Sequence, residues 1–291
     1  MLFHTVDGGQ TWQSVTVPAF GSIHFVDAGD GWLMTGKNVL LSGQEEDIYR
    51  TTDGGKTWTK VASTSADDES SGLPFSGSKN GFTFATLTTG WITGTHDWWT
   101  HSQDEVSHKT YLYVTHDGGR TWRSQDLPPL PLTVPYHAWS PTIEFFTPQD
   151  GILSRLYSVP DNVHPVASGV VFYVTHNGGT TWTPTVPPYA ASPTSSSDNS
   201  HVLGPLSFSD ANHGWVMTDD GTLYVTSDSG LHWTTIRLSL APSGDRGPVG
   251  QIDFISPQVG WAVGRPHFLS FLLKTVDGGH TWTPLSYTIS R

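Results

Sequence analysis

The sequence lacks several features that would mark a particular class of protein. Its 291 residues include no cysteine, which excludes disulfide bonds and thiolate chemistry. No apolar run reaches the length of about 18 residues that a membrane helix needs, and no basic, apolar N-terminal segment predicts a signal peptide. Lysine and arginine number 14 against 26 acidic residues, for a net charge of −12. A chain without a basic excess is not expected to bind nucleic acid.

What the chain does contain is one eight-residue phrase in six copies. The copies are TVDGGQTW (5–12), TTDGGKTW (51–58), THDGGRTW (115–122), THNGGTTW (175–182), TSDSGLHW (226–233) and TVDGGHTW (275–282). Their Asp or Asn residues are separated by 46, 64, 60, 51 and 49 residues. A period of about 40–50 residues with Gly and aromatic signals is typical of propeller blades that have four strands each.

A second repeated phrase gives the order of the strands within each repeat. A Phe precedes a Trp by seven residues in four copies, and in a fifth copy Ile152 replaces the Trp. The pairs are Phe25 and Trp32, Phe84 and Trp91, Phe145 and Ile152, Phe208 and Trp215, and Phe254 and Trp261. We predict an inner strand A ending at the Phe, a short turn, strand B starting at Gly-Trp, strand C, the eight-residue turn, and strand D.

The sequence therefore predicts an all-β protein, a β-propeller of four-stranded blades in a single domain over residues 1–291. Five full blades are expected, together with an N-terminal half-blade at residues 1–17 that has only strands C and D. The full blades are assigned to residues 21–63, 81–127, 141–187, 204–238 and 249–287. We favour a ring of six positions, with a seven-bladed parent as the alternative, and expect the chain to be trimmed from a longer ring or to have its true start upstream.

The eight-residue phrase is interpreted as a turn and not as a catalytic or calcium site. A short acceptor side chain at its third position can bond the backbone N–H groups of the turn that it opens. Asn177 keeps that acceptor oxygen without the charge, and a Gly at the fifth position suits a backbone angle that other residues resist. The fourth position looks less restricted, because Ser229 occurs there. The six structural positions are Asp7, Asp53, Asp117, Asn177, Asp228 and Asp277.

The phrase resembles the Asp-box, or bacterial neuraminidase repeat, of sialidases, sortilin-type receptors and some glycosidases. Together with the spaced Phe and Trp, it is more similar to propellers related to the photosystem II stability and assembly factor. The resemblance covers nearly the whole chain and implies the propeller fold, a scaffold that carries both enzymes and binding proteins. With the acidic, Lys-poor composition, it implies an extracytoplasmic bacterial protein. Those assembly factors use a basic patch on the ring, which this acidic chain does not match.

Loop lengths indicate which end of the blades carries function. The A–B and C–D turns keep nearly constant lengths, whereas the B–C and D–A connections vary and share the opposite end of the blades. Long variable loops on a rigid scaffold are where binding usually occurs. The D–A connection at residues 63–80 is acidic and rich in Ser and Gly, so we expect it to be mobile. The other long connections cover residues 94–109, 127–141 and 186–204.

Adjacent Trp98 and Trp99 depart most clearly from the repeat. They could stack on a sugar or anchor a peptide, or they could pin their own loop to the blade below. We predict a binding set of Trp98, Trp99, Tyr136, Trp139, Arg155 and Arg265 that recognises a protein or carbohydrate ligand. His96, His101 and His108 do not follow a zinc-ligand spacing, so no metal or other cofactor is predicted.

An alternative function comes from the polar residue of each strand A. Equivalent positions in a ring would share a central channel, where Glu144, Asp253 and His24 could lie together. A carboxylate pair is what glycoside hydrolysis requires, so a sialidase-like or other glycosidase is the competing hypothesis. A merely polar, water-filled channel would explain the same residues. The Arg-Ile-Pro signature of sialidases is absent, and we favour a non-catalytic binding module.

Overall fold

The computed structural model describes residues 1–4, 13–40, 43–95, 110–129, 137–160, 165–185, 203–218, 221–237, 249–264 and 271–285. Every regular element in these ranges is a β-strand. An antiparallel pair, β1 (Leu2–His4) and β2 (Gln13–Val15), comes first. The first four-stranded sheet contains β3 (Ser22–Phe25), β4 (Gly31–Leu40), β5 (Gly43–Thr51) and β6 (Thr59–Thr64).

Four further sheets repeat this plan, each with its strands hydrogen-bonded in chain order. The second contains β7 (Ser78–Phe84), β8 (Gly90–Thr95), β9 (Thr110–Thr115) and β10 (Arg123–Gln125). The third contains β11 (His137–Phe145), β12 (Gly151–Pro160), β13 (Pro165–Thr175) and β14 (Thr183–Thr185). The fourth contains β15 (Leu203–Phe208), β16 (Gly214–Thr218), β17 (Thr222–Thr226) and β18 (Thr234–Arg237). The fifth contains β19 (Val249–Phe254), β20 (Gly260–Gly264), β21 (Phe271–Thr275) and β22 (Thr283–Leu285).

The predicted fold class is confirmed, because five four-stranded antiparallel sheets and one two-stranded pair are the blades and half-blade of a β-propeller. The chain divides into two compact units, Met1–Leu127 with Ala138–Pro148 and Pro128–His137 with Gln149–Arg291. The domain boundaries and the number of ring positions stay predictions.

Aromatic side chains join consecutive blades inside each unit. In the first unit, Trp32 of β4 stacks on Phe84 of β7 with ring centroids 3.8 Å apart and planes 5° apart. The Trp32 indole N–H also donates to the carbonyl oxygen of Gly118, over 2.9 Å, in the eight-residue turn of the next blade. Trp215 of the second unit repeats both contacts, stacking on Phe254 at 3.8 Å and donating to the Gly278 oxygen at 3.0 Å. The Trp of the spaced Phe and Trp phrase thus packs on the Phe of the next blade and bonds to the eight-residue turn of that blade, so both phrases contribute to the same contact between blades.

The glycine before each strand B Trp is explained by close packing on the strand A Phe. A Cβ atom built on Gly90 would lie 2.6 Å from the Phe84 ring, and one on Gly260 would lie 2.6 Å from the Phe254 ring. Real side chains do not approach this closely, so the position requires glycine.

The eight-residue turn is closed by its own side chains. In the copy at residues 51–58, Thr51 Oγ1 accepts from the Gly55 N–H at 2.9 Å and donates to Asp53 Oδ1 at 2.8 Å. Asp53 Oδ1 also accepts from the Thr57 N–H at 2.9 Å, and Oδ2 accepts from the Thr57 hydroxyl at 2.6 Å. These bonds satisfy the turn internally, and they lower the Asp53 pKa to about 2, chiefly through the two bonds with Thr57.

The fourth position of the turn is more restricted than the sequence suggested. Gly54 and Gly55 have φ angles of 73° and 85°, so both central residues are left-handed. Ser229 adopts the same conformation with φ at 63°, and its hydroxyl donates to Asn212 Oδ1 at 2.9 Å. The backbone requirement is therefore kept where the glycine is lost.

Candidate functional site

Most of the predicted binding set lies outside the described residues. This applies to Trp98, Trp99, Tyr136 and Arg265, while Trp139 lies in β11 with a side chain that is not described. Arg155 is the member whose side chain is described. It lies in β12, is 7% exposed and interacts within the protein, so it offers little surface to a ligand.

The polar residues of strand A divide into two groups. His24 Nε2 donates to the Phe84 carbonyl oxygen at 2.8 Å, and Ser207 Oγ accepts from the Phe254 N–H at 2.9 Å. Both bonds link the inner strands of consecutive blades, so these side chains serve packing. Burial lowers the pKa of His24, against the opposing effect of the bond to Phe84. Glu144 and Asp253 are exposed and belong to different compact units, so their pairing stays a prediction.

The described part of the variable end is dominated by the D–A connection between β6 and β7. We call residues 65–77 the strap. Three of its carbonyl oxygens accept hydrogen bonds from the two blades that it connects, and its expected mobility stays a prediction. The Trp122 N–H donates to the Ser71 carbonyl oxygen at 2.8 Å, and the Gln44 N–H donates to that of Phe75 at 2.9 Å. The Thr64 hydroxyl donates to the Leu73 carbonyl oxygen at 2.9 Å. Leu73 is fully buried, which supplies the apolar anchor that an ordered loop needs.

Charged side chains are buried at the same end of the first unit, next to the strap. Asp47 is 4% exposed, and its Oδ2 lies 2.9 Å from Lys60 Nζ and accepts from the Tyr49 hydroxyl at 3.2 Å. Lys79 of β7 is 6% exposed, and its Nζ donates to the Phe75 carbonyl of the strap at 3.1 Å and to the Gln44 carbonyl of β5 at 3.3 Å. Lys79 therefore ties the strap to β5.

Glu46 is the uncompensated member of this group. It is 1% exposed, and neither carboxyl oxygen has a hydrogen-bond partner among the described residues. Burial raises the pKa of Glu46 to about 8, although the Lys79 charge acts in the opposite direction. Burial likewise lowers the pKa of Lys79 to about 8, opposed by Glu46 and Glu69. At neutral pH the preferred state is a protonated Glu46 beside a charged Lys79.

The outer surface of the strap is acidic. Asp67, Asp68 and Glu69 are consecutive and exposed, and Asp68 Oδ1 accepts from the Ser70 N–H at 2.9 Å. The variable end of the first two blades thus presents an ordered acidic surface.

Sequence reasoning missed Glu46 and Lys79, because the run Glu45-Glu46-Asp47 reads as a solvated charged hairpin. One signal was available. Residues two apart share a strand face, and Glu46 lies two before Ile48, which is fully buried.

The described ranges contain neither a candidate metal cluster nor a candidate membrane-spanning helix. No group of three or more His, Cys, Asp or Glu side chains there could hold a metal ion. No helix in those ranges is long and apolar enough to cross a membrane.

The fold and its repeated turns define an Asp-box β-propeller. Residues 49–60 match the BNR/Asp-box repeat, and residues 196–289 match the family described as Photosynthesis system II assembly factor YCF48. The resemblance predicted from the two phrases is therefore confirmed. A relative, the Photosystem II assembly lipoprotein Ycf48 of Synechococcus sp. (strain CC9902), is 34% identical over 102 residues. That match spans 34% of this chain and 29% of the relative's length.

Two solved structures show the same fold at low sequence identity. YCF48 from Cyanidioschyzon merolae has a TM-score of 0.54 at 16% identity, covering 94% of this chain and 88% of that one. The GH74 xyloglucanase from Xanthomonas campestris has a TM-score of 0.51 at 15% identity, covering 91% of this chain and 38% of that one. One is named YCF48 and the other a GH74 xyloglucanase, so the fold alone does not select the function.

Proposed function

We propose that this chain is a non-catalytic binding module that recognises a protein partner through the end of its blades formed by the B–C and D–A connections. The observation that carries the proposal is the difference between the two ends. The eight-residue turns are closed by internal bonds and repeated from blade to blade. The other end is irregular, and its described part is an ordered acidic strap. An ordered, individual surface on a repetitive scaffold is suited to specific recognition.

The named relatives support a role in binding over a role in catalysis. The Synechococcus relative is named as a photosystem II assembly lipoprotein, and the family matched by residues 196–289 is named as an assembly factor. We extend from these names a role in holding a protein partner, and a bacterial extracytoplasmic location consistent with a lipoprotein relative. The acidic surface of this chain favours a partner with a basic docking surface.

The residues proposed to contact the partner are those predicted from the sequence. Trp98 and Trp99 are the central anchors, because adjacent aromatic side chains supply large buried area at low entropic cost. Tyr136, Trp139 and Arg265 complete the contact set, and Arg155, which is 7% exposed, is left out of it.

The test begins with the native partner. The immobilised chain captures proteins from an envelope extract of its own organism, mass spectrometry identifies the bound protein, and titration calorimetry measures its Kd in purified form. Replacing both Trp98 and Trp99 by Ala should raise Kd at least about thirtyfold, since even one aromatic anchor contributes about 2 kcal/mol or more.

The matched control is Leu231→Ala. Leu231 is 65% exposed in an eight-residue turn, at the other end of its blade, and this change should leave Kd unaltered. Equal affinities for the wild type and the Trp98/Trp99 double variant would reject the assignment.

The glycosidase hypothesis is tested on the same protein. A panel of chromogenic glycosides should give no turnover above buffer. Turnover that disappears in Glu144→Gln, with an unchanged melting temperature, would replace the binding proposal with catalysis by Glu144 and Asp253.

A further inference from the structure

The buried charged group next to the strap has a geometry that responds to protons. Glu46 lies on β5, with both carboxyl oxygens buried and without a hydrogen-bond donor among the described residues. Lys79 lies on β7, and its ammonium group donates hydrogen bonds to the carbonyl oxygens of Gln44 and Phe75 and not to Glu46. A neutral carboxyl group is disfavoured much less at this site than an ionised one, because a buried charge without hydrogen-bond donors costs far more than a buried polar group.

Ionisation of Glu46 can be accommodated in two ways. Water can reach the carboxylate if the strap lifts, or the Lys79 ammonium can turn towards the carboxylate and leave its two carbonyl acceptors. Both routes remove the Lys79 contact with Phe75, which is part of the strap. The bonds from Trp122 to Ser71 and from Thr64 to Leu73 do not involve Lys79. Opening should therefore begin at the Phe75 end of the strap.

We propose that Glu46 and Lys79 form a proton-operated latch, which holds the strap closed while Glu46 is protonated and lets it open when Glu46 ionises. The latch would act on the surface of the variable end whether or not that surface binds a partner. It makes the shape of the acidic surface depend on pH.

Other charged groups around Glu46 influence its ionisation, but Glu46 remains the group whose ionisation opens the strap. Asp47 is already paired with Lys60 and bonded by Tyr49, and its negative charge disfavours ionisation of Glu46. The negative charge of Glu69 in the strap opposes the lowering of the Lys79 pKa by burial. Burial and, as a smaller cause, Glu69 raise the pKa of Tyr113 in β9. The titratable and charged groups linked to Glu46, directly or through a neighbour, are Lys79, Asp47, Glu69, Lys60, Tyr49 and Tyr113.

The direction of the pH effect follows from the two pKa values. Glu46 has a pKa of about 8 with the strap closed, above the ordinary value of 4.5, so closure is favoured at low pH and is weakened as pH rises from 4.5 towards 8. Lys79 has a pKa of about 8 when closed, below its ordinary 10.5, so a further rise from 8 towards 10.5 favours closure again. The strap should be most open near pH 8.

Amide hydrogen exchange tests the latch directly, because two strap carbonyls accept from amides outside the strap. The Gln44 and Trp122 N–H groups report its Phe75 and Ser71 ends, respectively. After correction for intrinsic exchange rates, protection at Gln44 should fall at least about tenfold between about pH 5 and about pH 8. Trp122 should lose less. The control is the Gly278 N–H, bonded to the Gln258 carbonyl in the last blade, which should keep its protection.

Glu46→Gln is the matched variant, since it keeps the shape of the side chain and cannot ionise. Gln44 should then keep its low-pH protection up to about pH 8. An identical loss in Glu46→Gln and wild type would overturn the latch, as would wild-type Gln44 protection that does not change with pH. A simultaneous loss at Gly278 would show general unfolding and would also overturn it. Wild-type Gln44 protection that is constant with pH overturns the latch even if the variant does not fold.

Discussion

At the scale of single residues, the Asp-box turn selects backbone conformation before side-chain chemistry. Ser229 is the one residue other than glycine with a positive φ among the described residues, and it has a hydroxyl bond to Asn212 that glycine could not make. The left-handed conformation costs an ordinary residue about 1–2 kcal/mol. The hydroxyl bond, worth about 0.5–1.5 kcal/mol, offsets part of that cost. This balance explains how Ser can occupy a glycine position.

The backbone cost can be measured by comparing Ser229→Gly with Ser229→Ala. Both changes remove the bond to Asn212. The difference between the two variants in free energy of unfolding therefore reports the cost of the left-handed conformation for Ala, reduced by the greater conformational freedom of Gly in the unfolded chain. We expect the Gly variant to be more stable by about 1 kcal/mol in urea unfolding. The same pair of changes at Ser256, which has no positive φ, should favour Ala or show no difference. A more stable Ala variant at position 229 would contradict this account.

At the scale of elements, a Trp of one blade stacks on a Phe of the next blade at several described contacts between blades. Phe84 is fully buried, stacks on Trp32 and meets Trp122 edge-on at 6.1 Å. Phe25 occupies the equivalent position in the first full blade, but it is only half-buried, and its described ring contact is the edge-on one with Trp58 at 6.2 Å. The two residues therefore differ in burial as well as in ring contacts, which for Phe84 also include an edge-on contact with Phe82 at 5.6 Å.

Truncation of these two rings therefore compares a fully buried, stacked Phe with a half-buried one. Phe84→Ala should lower the free energy of unfolding by about 3–5 kcal/mol, as expected for a fully buried ring. Phe25→Ala should cost at least about 1 kcal/mol less, since aromatic pairs add about 0.5–1.5 kcal/mol beyond buried area. Urea unfolding followed by Trp fluorescence measures both. Equal losses would contradict a contribution to stability from the greater burial and stacking of Phe84.

At the scale of the whole molecule, the repeat explains why the fold was predictable and the site was not. Phe84, Trp91 and the turn at residues 115–122 recur at matched spacings, and each recurrence reports the same packing, so strand order could be inferred from letters alone. Glu46 and Lys79 occur once and lie 33 residues apart in the sequence, brought together by the packing of consecutive blades. Nothing local marks such a pair. The contacts of the strap could not be inferred for a similar reason, because its polar composition hides the buried Leu73 that anchors it.

Charge is the other property that belongs to the whole molecule. With neutral histidines the net charge is −12. The isoelectric point is near 5.5, where repulsion between molecules vanishes. Light scattering at low salt should therefore show repulsive interactions at about pH 7.5 and attraction near the isoelectric point. Added salt of about 0.3 M should screen the repulsion at the higher pH, because the Debye length falls well below 10 Å. Attraction of equal strength at both pH values would mean that apolar contacts, such as those open to the exposed Phe20 and Leu231, outweigh net charge in governing association.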